Sequence, residues 1–310
     1  MKLTFRPAFA TALAAIALLP SPAAAQAFTP PQGVGSLTLA WQFVDNTGHR
    51  LTDGFINPLG QSQTTSALVE LDYGVTDRLS ATVGLPYVFA KYTGANAPQS
   101  GQAVDICRCW QSAFQDFSFG ARYRFGDDRW AVTPTATFGV PSHDYPFAGE
   151  AVVGRNLREA QVGLASAVKL VDLLPKASVQ ASYTYSVVQR AVTDVGVNRS
   201  NSHLEFGYAV TRGVYLRGDA SWQRTHGGLR VGSVTGVPFP LPGEFSSTPE
   251  RFAQRDRLGR VNYWHAGAGA SFPAGPADIF VSFTKYVAGT DTHNGQAYTV
   301  GSTFYFDLKK

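Results

Sequence analysis

The clearest pattern in the chain is a strict alternation of apolar and polar side chains between Leu68 and Tyr92. Successive side chains of a β-strand point to opposite faces, so a period of two predicts strands. The alternation breaks once, at Thr76-Asp77-Arg78, where a turn is predicted. The apolar positions are Val69, Leu71, Tyr73 and Val75 before the turn, then Leu79, Ala81, Val83, Leu85, Tyr87 and Phe89 after it. The stretch is therefore predicted to be a β-hairpin with one apolar face.

The same alternation recurs along the chain and predicts twelve strands. The first of them, Ser36–Val44, places Leu37, Leu39, Trp41 and Phe43 on one face. The others are the two strands of the hairpin, Asp116–Phe125, Trp130–Val140, Ala160–Leu170, Ser178–Val188, His203–Thr211, Val214–Gln223, Asn262–Phe272, Asp278–Val287 and Tyr298–Phe306.

The connections between these strands alternate in length. They are tight after strands two, four, six, eight and ten, as at Arg212-Gly213, and longer after the odd-numbered strands. The longest runs from His226 to Arg260, and a shorter one, Thr290–Gln296, follows strand eleven. Short periplasmic turns alternating with long extracellular loops are typical of outer-membrane barrels. The pattern predicts an all-β, transmembrane, antiparallel up-and-down β-barrel of about twelve strands with both termini in the periplasm.

The first 25 residues follow a different pattern. Lys2 and Arg6 precede an apolar run of eleven residues, Phe9–Leu19, which is too short for a membrane-spanning helix. Ala23-Ala24-Ala25 then offers a small-residue cleavage site. These features predict a cleaved signal peptide at 1–25 and a barrel domain at 26–310 in the outer membrane of a Gram-negative bacterium.

Composition supports a membrane surface over a soluble one. Charged residues make up 15% of the chain, whereas a soluble surface carries roughly 25–35%. Removing Lys2 and Arg6 leaves 24 basic and 22 acidic residues, a net charge of +2, which is no nucleic-acid footprint. No run after residue 25 reaches 18 apolar residues, so no transmembrane helix is predicted. Aromatic residues near strand ends fit two interfacial girdles, as at Trp41, Tyr87, Trp130, Trp222 and Trp264.

If the apolar faces meet lipid, the opposite faces line a lumen. The charged and histidine side chains predicted there are Glu70, Asp72, Asp116, Arg122, Arg124, Lys169, His203, Glu205, Arg217, Asp219 and His265. They are expected either to neutralise one another and fill the barrel, or to line a water-filled path and set its selectivity. Twelve strands enclose only a narrow lumen. Many of the other lumen positions are small, which favours remaining space, as at Gly84, Gly120, Gly207, Gly267 and Gly269.

Two stretches resemble a known family. Asp72-Tyr73-Gly74-Val75-Thr76-Asp77-Arg78-Leu79, leading to Gly84-Leu85-Pro86-Tyr87, is similar to the second and third strands of an outer-membrane family named for the MetA pathway of phenol degradation. Asp116–Arg124 is similar to its GD-x-x-x-G-x-K-Y strand, with Gln115 in place of Gly and Arg122 in place of Lys. The resemblance implies an outer-membrane barrel that passes small, often aromatic or hydrophobic compounds, and it carries over no catalytic residues.

Other candidate sites are weaker. Cys107 and Cys109 are read either as a loop disulfide or as two idle thiols. Three rim segments contain residues that a hydrolase would use: Ser142-His143-Asp144, Ser202-His203 and Asp291-Thr292-His293. Neighbouring strand residues point to opposite faces, so none of the three makes a catalytic constellation by itself. We expect no enzyme activity and no metal or other cofactor.

The loop from Arg224 to Arg260 carries six arginines: Arg224, Arg230, Arg251, Arg255, Arg257 and Arg260. Because arginine pairs bidentately with phosphate, they could bind lipopolysaccharide at the outer rim, or instead pair with Glu244, Glu250 and Asp256. The apolar segment Val237–Pro242 of this loop could fold inward as a constriction.

The predicted function is a passive outer-membrane channel for small, hydrophobic or aromatic solutes, with outer-membrane lipid and lipopolysaccharide as its other partners. No energy source and no plug domain before the first strand are predicted. The alternatives are a structural or surface-binding barrel without transport, and, less favoured, a rim hydrolase.

Overall fold

The computed structural model describes residues 27–57, 60–94, 103–211, 213–230 and 248–308. The predicted signal peptide and the predicted constriction Val237–Pro242 lie outside these described residues. Twelve long strands alternate with turns and loops. They are β1 (Val34–Arg50), β2 (Gln61–Gly74), β3 (Leu79–Thr93), β4 (Asp116–Tyr123), β5 (Trp130–Pro141), β6 (Glu159–Lys169), β7 (Ala177–Val188), β8 (Val197–Ala209), β9 (Tyr215–Gly227), β10 (Asn262–Ala274), β11 (Ala277–Thr290) and β12 (Thr292–Asp307).

Three short strands and three short helices complete the described structure. Ile56–Asn57 pairs with the end of β1, Gln111–Phe114 pairs with β3, and Phe125–Gly126 continues β4 along β5. The helices are α1 (Ala103–Ile106), α2 (Pro249–Ala253) and α3 (Arg255–Leu258). None of the described helices is long and apolar enough to cross a bilayer.

Each strand pairs antiparallel with its neighbours in sequence, and β12 pairs with β1 to close the sheet. The closing register joins Leu37 to Phe304 and Ala40 to Gly301. Closure leaves no sheet edge, so every long strand has a hydrogen-bonding partner on both sides. The predicted all-β, twelve-stranded, up-and-down barrel is therefore confirmed.

Both chain termini lie at one end of the barrel, and the turns at this end are short. Hydrogen bonds to turn side chains, and glycines with positive φ, stabilise these tight turns. After β2, Thr76 Oγ1 accepts hydrogen bonds from the backbone N–H groups of Arg78 (3.2 Å) and Leu79 (2.9 Å). Between β10 and β11, Gly275 has a φ of 65°, a left-handed conformation that glycine adopts without a steric penalty. The predicted short turns thus fix the registers of their hairpins.

At the opposite end the strands are longer than predicted. The predicted strand Ser36–Val44 is observed as Val34–Arg50, and β12 begins at Thr292 rather than at Tyr298. The predicted loop Thr290–Gln296 is wrong, because β11 and β12 are joined through Asp291 alone, with a φ of 53°. Alternation disappears where both faces of a strand meet water or polar groups, so the pattern ends before the hydrogen-bonded ladder does.

The apolar faces of the strands point outwards. Val162 is 62% exposed and Leu204 is 53% exposed, although both lie in the middle of strands. Exposed apolar surface of this extent is typical of a surface that meets lipid. Aromatic pairs stand towards its two borders: Trp222 stacks on Trp264, with ring centroids 6.0 Å apart, and the Tyr123 and Phe125 rings meet edge to face at 5.0 Å.

Candidate functional site

The polar faces of the strands line the lumen. Of the residues predicted there, Glu70, Asp72, Arg122 and Glu205 are buried. A second group is half-buried: Asp116, Arg124, His203, Arg217, Asp219 and His265. Lys169 is exposed at the periplasmic end. The structure brings most of these side chains together in two separate networks rather than in one continuous layer.

The first network lies on β2, β3 and β4. The Arg122 guanidinium forms an ion pair with Asp72, and its Nε donates a hydrogen bond to Ser80 Oγ at 3.3 Å. The side chains of Arg122 and Asp72 are only 4% and 7% exposed. Glu70 is buried on the same strand face, two residues from Asp72. The opposite charges of Arg122 and Asp72 cancel, as expected for two charges that are removed from bulk water.

The second network lies on β7, β8 and β9. Gln180 Nε2 donates to Glu205 Oε1 at 3.5 Å, and Glu205 lies 3.8 Å from Arg217 Nη1. The Arg217 guanidinium also faces the Phe280 ring, 6.0 Å from its centroid. Next to them, His203 Nε2 is 4.0 Å from the Asp219 carboxylate. Phe280 is a lumen residue that the sequence did not reveal, because both faces of β11 carry apolar side chains.

Glycines on the lumen face do not leave open space at several positions. A Cβ at Gly301 would collide with the Phe280 ring, and a Cβ at Gly207 would collide with the Tyr215 ring. At Gly269 it would meet the Arg217 side chain. Larger side chains from neighbouring strands lie across these glycines. The small residues that favoured remaining space instead make room for an interior that is partly filled.

A segment before β1, which we call the strap (residues 27–33), enters the lumen at the periplasmic end. Ala27 is fully buried against Ala131 of β5 and against Ala165 and Ala167 of β6. Thr133 Oγ1 of β5 donates a hydrogen bond to the Ala27 carbonyl at 2.5 Å. The strap therefore docks on the wall formed by β5 and β6.

The other end of the strap is tied to β2 and the turn after it, three to four strands away from β5 and β6 around the barrel. Gly33 N–H donates to the Gly74 carbonyl of β2 at 2.9 Å, and Gln32 N–H donates to Asp77 at 3.0 Å. A barrel of twelve strands about 4.8 Å apart and tilted by about 40° is about 24 Å across between backbones. Seven extended residues span at most about 23–25 Å. The strap is therefore long enough to span the periplasmic mouth along a chord from β2 to β5 and β6. The sequence analysis expected no plug domain before the first strand and did not anticipate this short inserted segment.

A cavity of about 200 Å³ remains between the strap and the wall. Its lining includes Phe28 and Thr29 of the strap, and Asp72 and Tyr305 of the wall. On the far side of the strap, the Lys169 ammonium lies 5.1 Å from the centre of the Phe28 ring. The buried Asp72–Arg122 pair therefore lies beside the strap.

A second constriction comes from the loop between β5 and β6, which we call the inner loop (residues 142–158). Tyr145 is 1% exposed and packs with Val153 against Val88 on the lumen face of β3. Its hydroxyl donates to Asp116 and accepts the backbone N–H of Asn156 at 3.0 Å. The sequence does contain a signal for this fold, because the apolar run from Tyr145 to Val153 is unusual for a solvated loop.

Helical segments of two other loops hold the inner loop in place. Asp105 of α1 accepts the backbone N–H groups of Glu150 and Ala151, each at 2.9 Å. Asp256 of α3 accepts the Gly149 N–H at 2.9 Å. Arg257 of α3 donates to the Arg155 carbonyl at 2.8 Å and to the Asn156 carbonyl at 3.2 Å. On the barrel wall, His293 Nε2 lies 3.5 Å from Glu150.

The contribution of Asp256 to the attachment of the inner loop is expected to decrease as the pH rises from about 4 to about 7. Burial, together with the carboxylates of Glu150 and Asp105, raises the pKa of Asp256 to about 6 against the opposing effects of the Gly149 hydrogen bond and Arg255. A carboxyl with a raised pKa binds its proton more tightly in the closed state, so acidification stabilises closure and ionisation above the raised pKa opposes it. Hydrogen exchange of residues 142–158 as a function of pH measures this.

Asp256→Asn is the control for this prediction, since the amide does not titrate in this range. Between about pH 4 and 7, the exchange profile of this variant should lack the part that Asp256 contributes to the unaltered protein, and the exchange of the β-strands should be unchanged. An unchanged pH profile in this variant would assign the dependence to another group.

A cleft of about 670 Å³ opens on the outside of the barrel, below the inner loop. Its lining residues are Phe138, Val140, Pro141, His143, Asp144, Asn156, Leu157, Arg158, Gln189, Arg190, Ala191 and Arg257. Phe138 belongs to the outward apolar face, and Arg158 and Arg190 are exposed. The cleft therefore joins an apolar floor to a basic rim.

The arginines of the longest loop mostly contact the protein itself. Arg251 forms an ion pair with Asp194, and Arg255 stacks over the Phe252 ring at 4.7 Å. Arg260 Nε donates to the Gly227 carbonyl at 3.2 Å. Arg255 Nε also lies 3.9 Å from Asp256, so one of the expected pairs within the loop is present, whereas Glu244 lies outside the described residues. The other partners of these described arginines are carbonyls, a ring and an acid from another loop.

The rim residues considered for hydrolysis do not assemble a catalytic triad. Ser142 Oγ lies 2.8 Å from His143 Nδ1, but Asp144 accepts from the Asn156 side chain instead of orienting the histidine. His203 faces Asp219 of the lumen. Among the described residues there is no group of three or more His, Cys, Asp or Glu side chains placed to hold a metal ion.

Cys107 and Cys109 are joined by a disulfide at the end of α1, with Cα atoms 5.2 Å apart. The bond closes the turn that follows Asp105, the residue whose carboxylate holds the inner loop. The disulfide is therefore placed to stabilise the loop segment that holds the inner loop.

Comparison with known proteins gives a likeness in fold. No protein-family model matches the chain and no curated protein matches its sequence, so the resemblance to the MetA-pathway family stays a prediction. Among solved structures, the COG4313 outer membrane channel from Pseudomonas putida F1 has a TM-score of 0.66 at 12% identity, covering 94% of this chain and 100% of that one.

Two autotransporter barrels are also similar. The translocator domain of NalP from Neisseria meningitidis has a TM-score of 0.50 at 11% identity, covering 89% of this chain and 90% of that one. The β-domain of the Bordetella autotransporter BrkA has a TM-score of 0.50 at 14% identity, covering 89% and 100%. At these identities the likeness concerns architecture, and the chain has the fold of outer-membrane β-barrels.

Proposed function

We propose that the protein is an outer-membrane channel for the passive passage of small solutes. The observation that carries this proposal is a closed barrel whose outward surface is apolar and whose interior holds charged networks. A water-filled path through the membrane needs a polar lining of this kind, and the half-buried members of the second network border interior space. The similarity to an outer membrane channel of P. putida supports the same reading.

The channel is narrow and has two constrictions, the strap at the periplasmic mouth and the inner loop at the extracellular side. Solutes that pass must be small or must displace one of these segments. The resemblance found in the sequence favours hydrophobic or aromatic solutes. Cleavage of residues 1–25 on export belongs to this proposal, as does contact of the basic outer rim with lipopolysaccharide.

Single-channel recording of the refolded mature protein in a planar bilayer tests the channel proposal. Discrete, salt-dependent current steps are the expected result, and they should be small because both constrictions lie in the path. A folded barrel, established by heat-modifiable migration in gels, that carries no current at any voltage would favour the alternative of a barrel without transport.

A further inference from the structure

The inner loop contains an arginine that forms no ion pair with any described acidic side chain. Arg155 belongs to the inner loop, where Arg257 holds its backbone carbonyl at 2.8 Å. Its Nη1 atom is buried and has no hydrogen-bond partner, and no described carboxylate lies within ion-pair distance of it. Burial and the charge of nearby Arg199 lower the pKa of Arg155 to about 10. A positive charge is thus held in place without a counter-charge of its own.

The side chains around Arg155 come from β6 and β8. Arg199 of β8 forms an ion pair with Glu159 of β6, and Asp116 of β4, which also interacts electrostatically with Arg199, is hydrogen-bonded to Tyr145. The Nε atom of Arg199 is also buried without a hydrogen-bond partner. The carboxylates near the two guanidinium groups are thus engaged elsewhere, and one buried N–H donor of each arginine stays without an acceptor. Unsatisfied buried donors of this kind carry a desolvation cost that an anion would remove.

An aromatic wall stands next to these arginines. Tyr263 of β10 interacts electrostatically with both Arg155 and Arg199. Its ring stacks on His265 with centroids 4.4 Å apart and an interplanar angle of 26°, and the Tyr286 ring meets His265 edge-on at 6.2 Å. The Tyr263 hydroxyl donates to Gln223 Oε1 at 3.2 Å, so the ring is fixed in orientation. A flat apolar surface thus borders the unpaired guanidinium.

We propose that Arg155, Arg199, Tyr263 and His265 form a binding site for an aromatic monocarboxylate on the permeation path. The carboxylate binds the free donors of Arg155 and Arg199, and the ring lies against the stacked pair of Tyr263 and His265. The two unpaired donors, Arg155 Nη1 and Arg199 Nε, suit the two oxygens of a single carboxylate. This inference rests on the proposed channel function and specifies the class of solute.

Fluorine NMR of 4-fluorobenzoate with the refolded mature protein in detergent tests the site without requiring a current. The fluorobenzoate signal should broaden on addition of protein. Two control compounds, 4-fluorobenzyl alcohol, which lacks the carboxylate, and fluoroacetate, which lacks the ring, should bind at least about tenfold more weakly. Arg155→Gln should weaken fluorobenzoate binding by about tenfold or more, as expected for the loss of charge-assisted hydrogen bonds.

Arg158→Gln is the matched control, because Arg158 lies three residues further along, is exposed and lines the cleft outside the barrel. It should bind fluorobenzoate like the unaltered protein. Equal binding of the acid and the alcohol, no binding of the acid, or equal affinity of the Arg155 and Arg158 variants would each overturn the proposed site. A protein that binds fluorobenzoate but carries no current would keep the site and contradict the channel, so the two proposals fail separately.

Discussion

Deletion of residues 27–31 is expected to raise the single-channel conductance several-fold. These residues form most of the strap, which crosses a lumen about 24 Å wide between backbones at its periplasmic end. Their removal takes away the buried Ala27 and the Phe28 ring and opens the cavity beside Asp72 to the periplasm. The strands keep their pairing, because the first residue of β1 is Val34. Planar-bilayer recording in potassium chloride gives the measurement.

A milder variant separates obstruction from a general loosening of the barrel. Thr133→Val removes the hydrogen bond to the Ala27 carbonyl and keeps the size of the side chain. It is expected to give brief openings to the larger conductance rather than a permanent increase. If the deletion variant conducts like the full mature chain, the strap is not an obstacle on the solute path.

Replacing Arg122 by alanine is expected to have the largest effect on stability. Asp72 would lose its ion-pair partner while staying buried, and breaking one side of such a pair typically costs roughly 3–5 kcal/mol. The remaining negative charge should also favour cations in the pore. Unfolding of the refolded protein in urea, followed by tryptophan fluorescence, gives the loss of stability. The reversal potential in a potassium chloride gradient gives the selectivity.

The double variant with Asp72→Asn and Arg122→Gln tests whether the effect comes from an unpaired charge. Removing both charges leaves no uncompensated carboxylate at this position, so most of the lost stability should return. Selectivity should return towards that of the unaltered protein. Arg122→Ala with unchanged reversal potential and unchanged unfolding would show that this pair neither borders the ion path nor supports the wall.

The barrel itself could be predicted from the sequence because each strand shows a local alternation of apolar and polar residues. Alternation with a period of two identifies a strand and its two faces, and the lengths of the connections place both termini at one end. The pairing of Asp72 with Arg122 was not predictable in the same way. It depends on the register across β2, β3 and β4. Alternation assigns a residue to a face of the sheet, but it does not give the residue's position along the barrel axis relative to residues of other strands.

The two constrictions were missed for a related reason. The strap docks through the Thr133 hydrogen bond and the small side chains of β5 and β6, more than a hundred residues away along the chain. A contact between segments so far apart in the sequence leaves no periodic pattern in either segment. The inner loop carries a sequence signal in the apolar residues Tyr145 and Val153, but a loop's apolar content does not by itself distinguish an inward fold from packing at the rim.

The strands extend beyond the apolar band at the end of the barrel opposite the chain termini, and this extension affects which loops are accessible from outside the cell. Phe43 is the last large apolar residue on the outward face of β1, yet β1 and β12 remain paired as far as Arg50 and Thr292. Seven residues of tilted strand rise by about 18 Å. In the proposed membrane, this paired collar lifts α1, α2 and α3 clear of the lipid headgroups. Exposed residues of these segments, such as Phe252, should then be accessible to a labelling reagent added to intact cells.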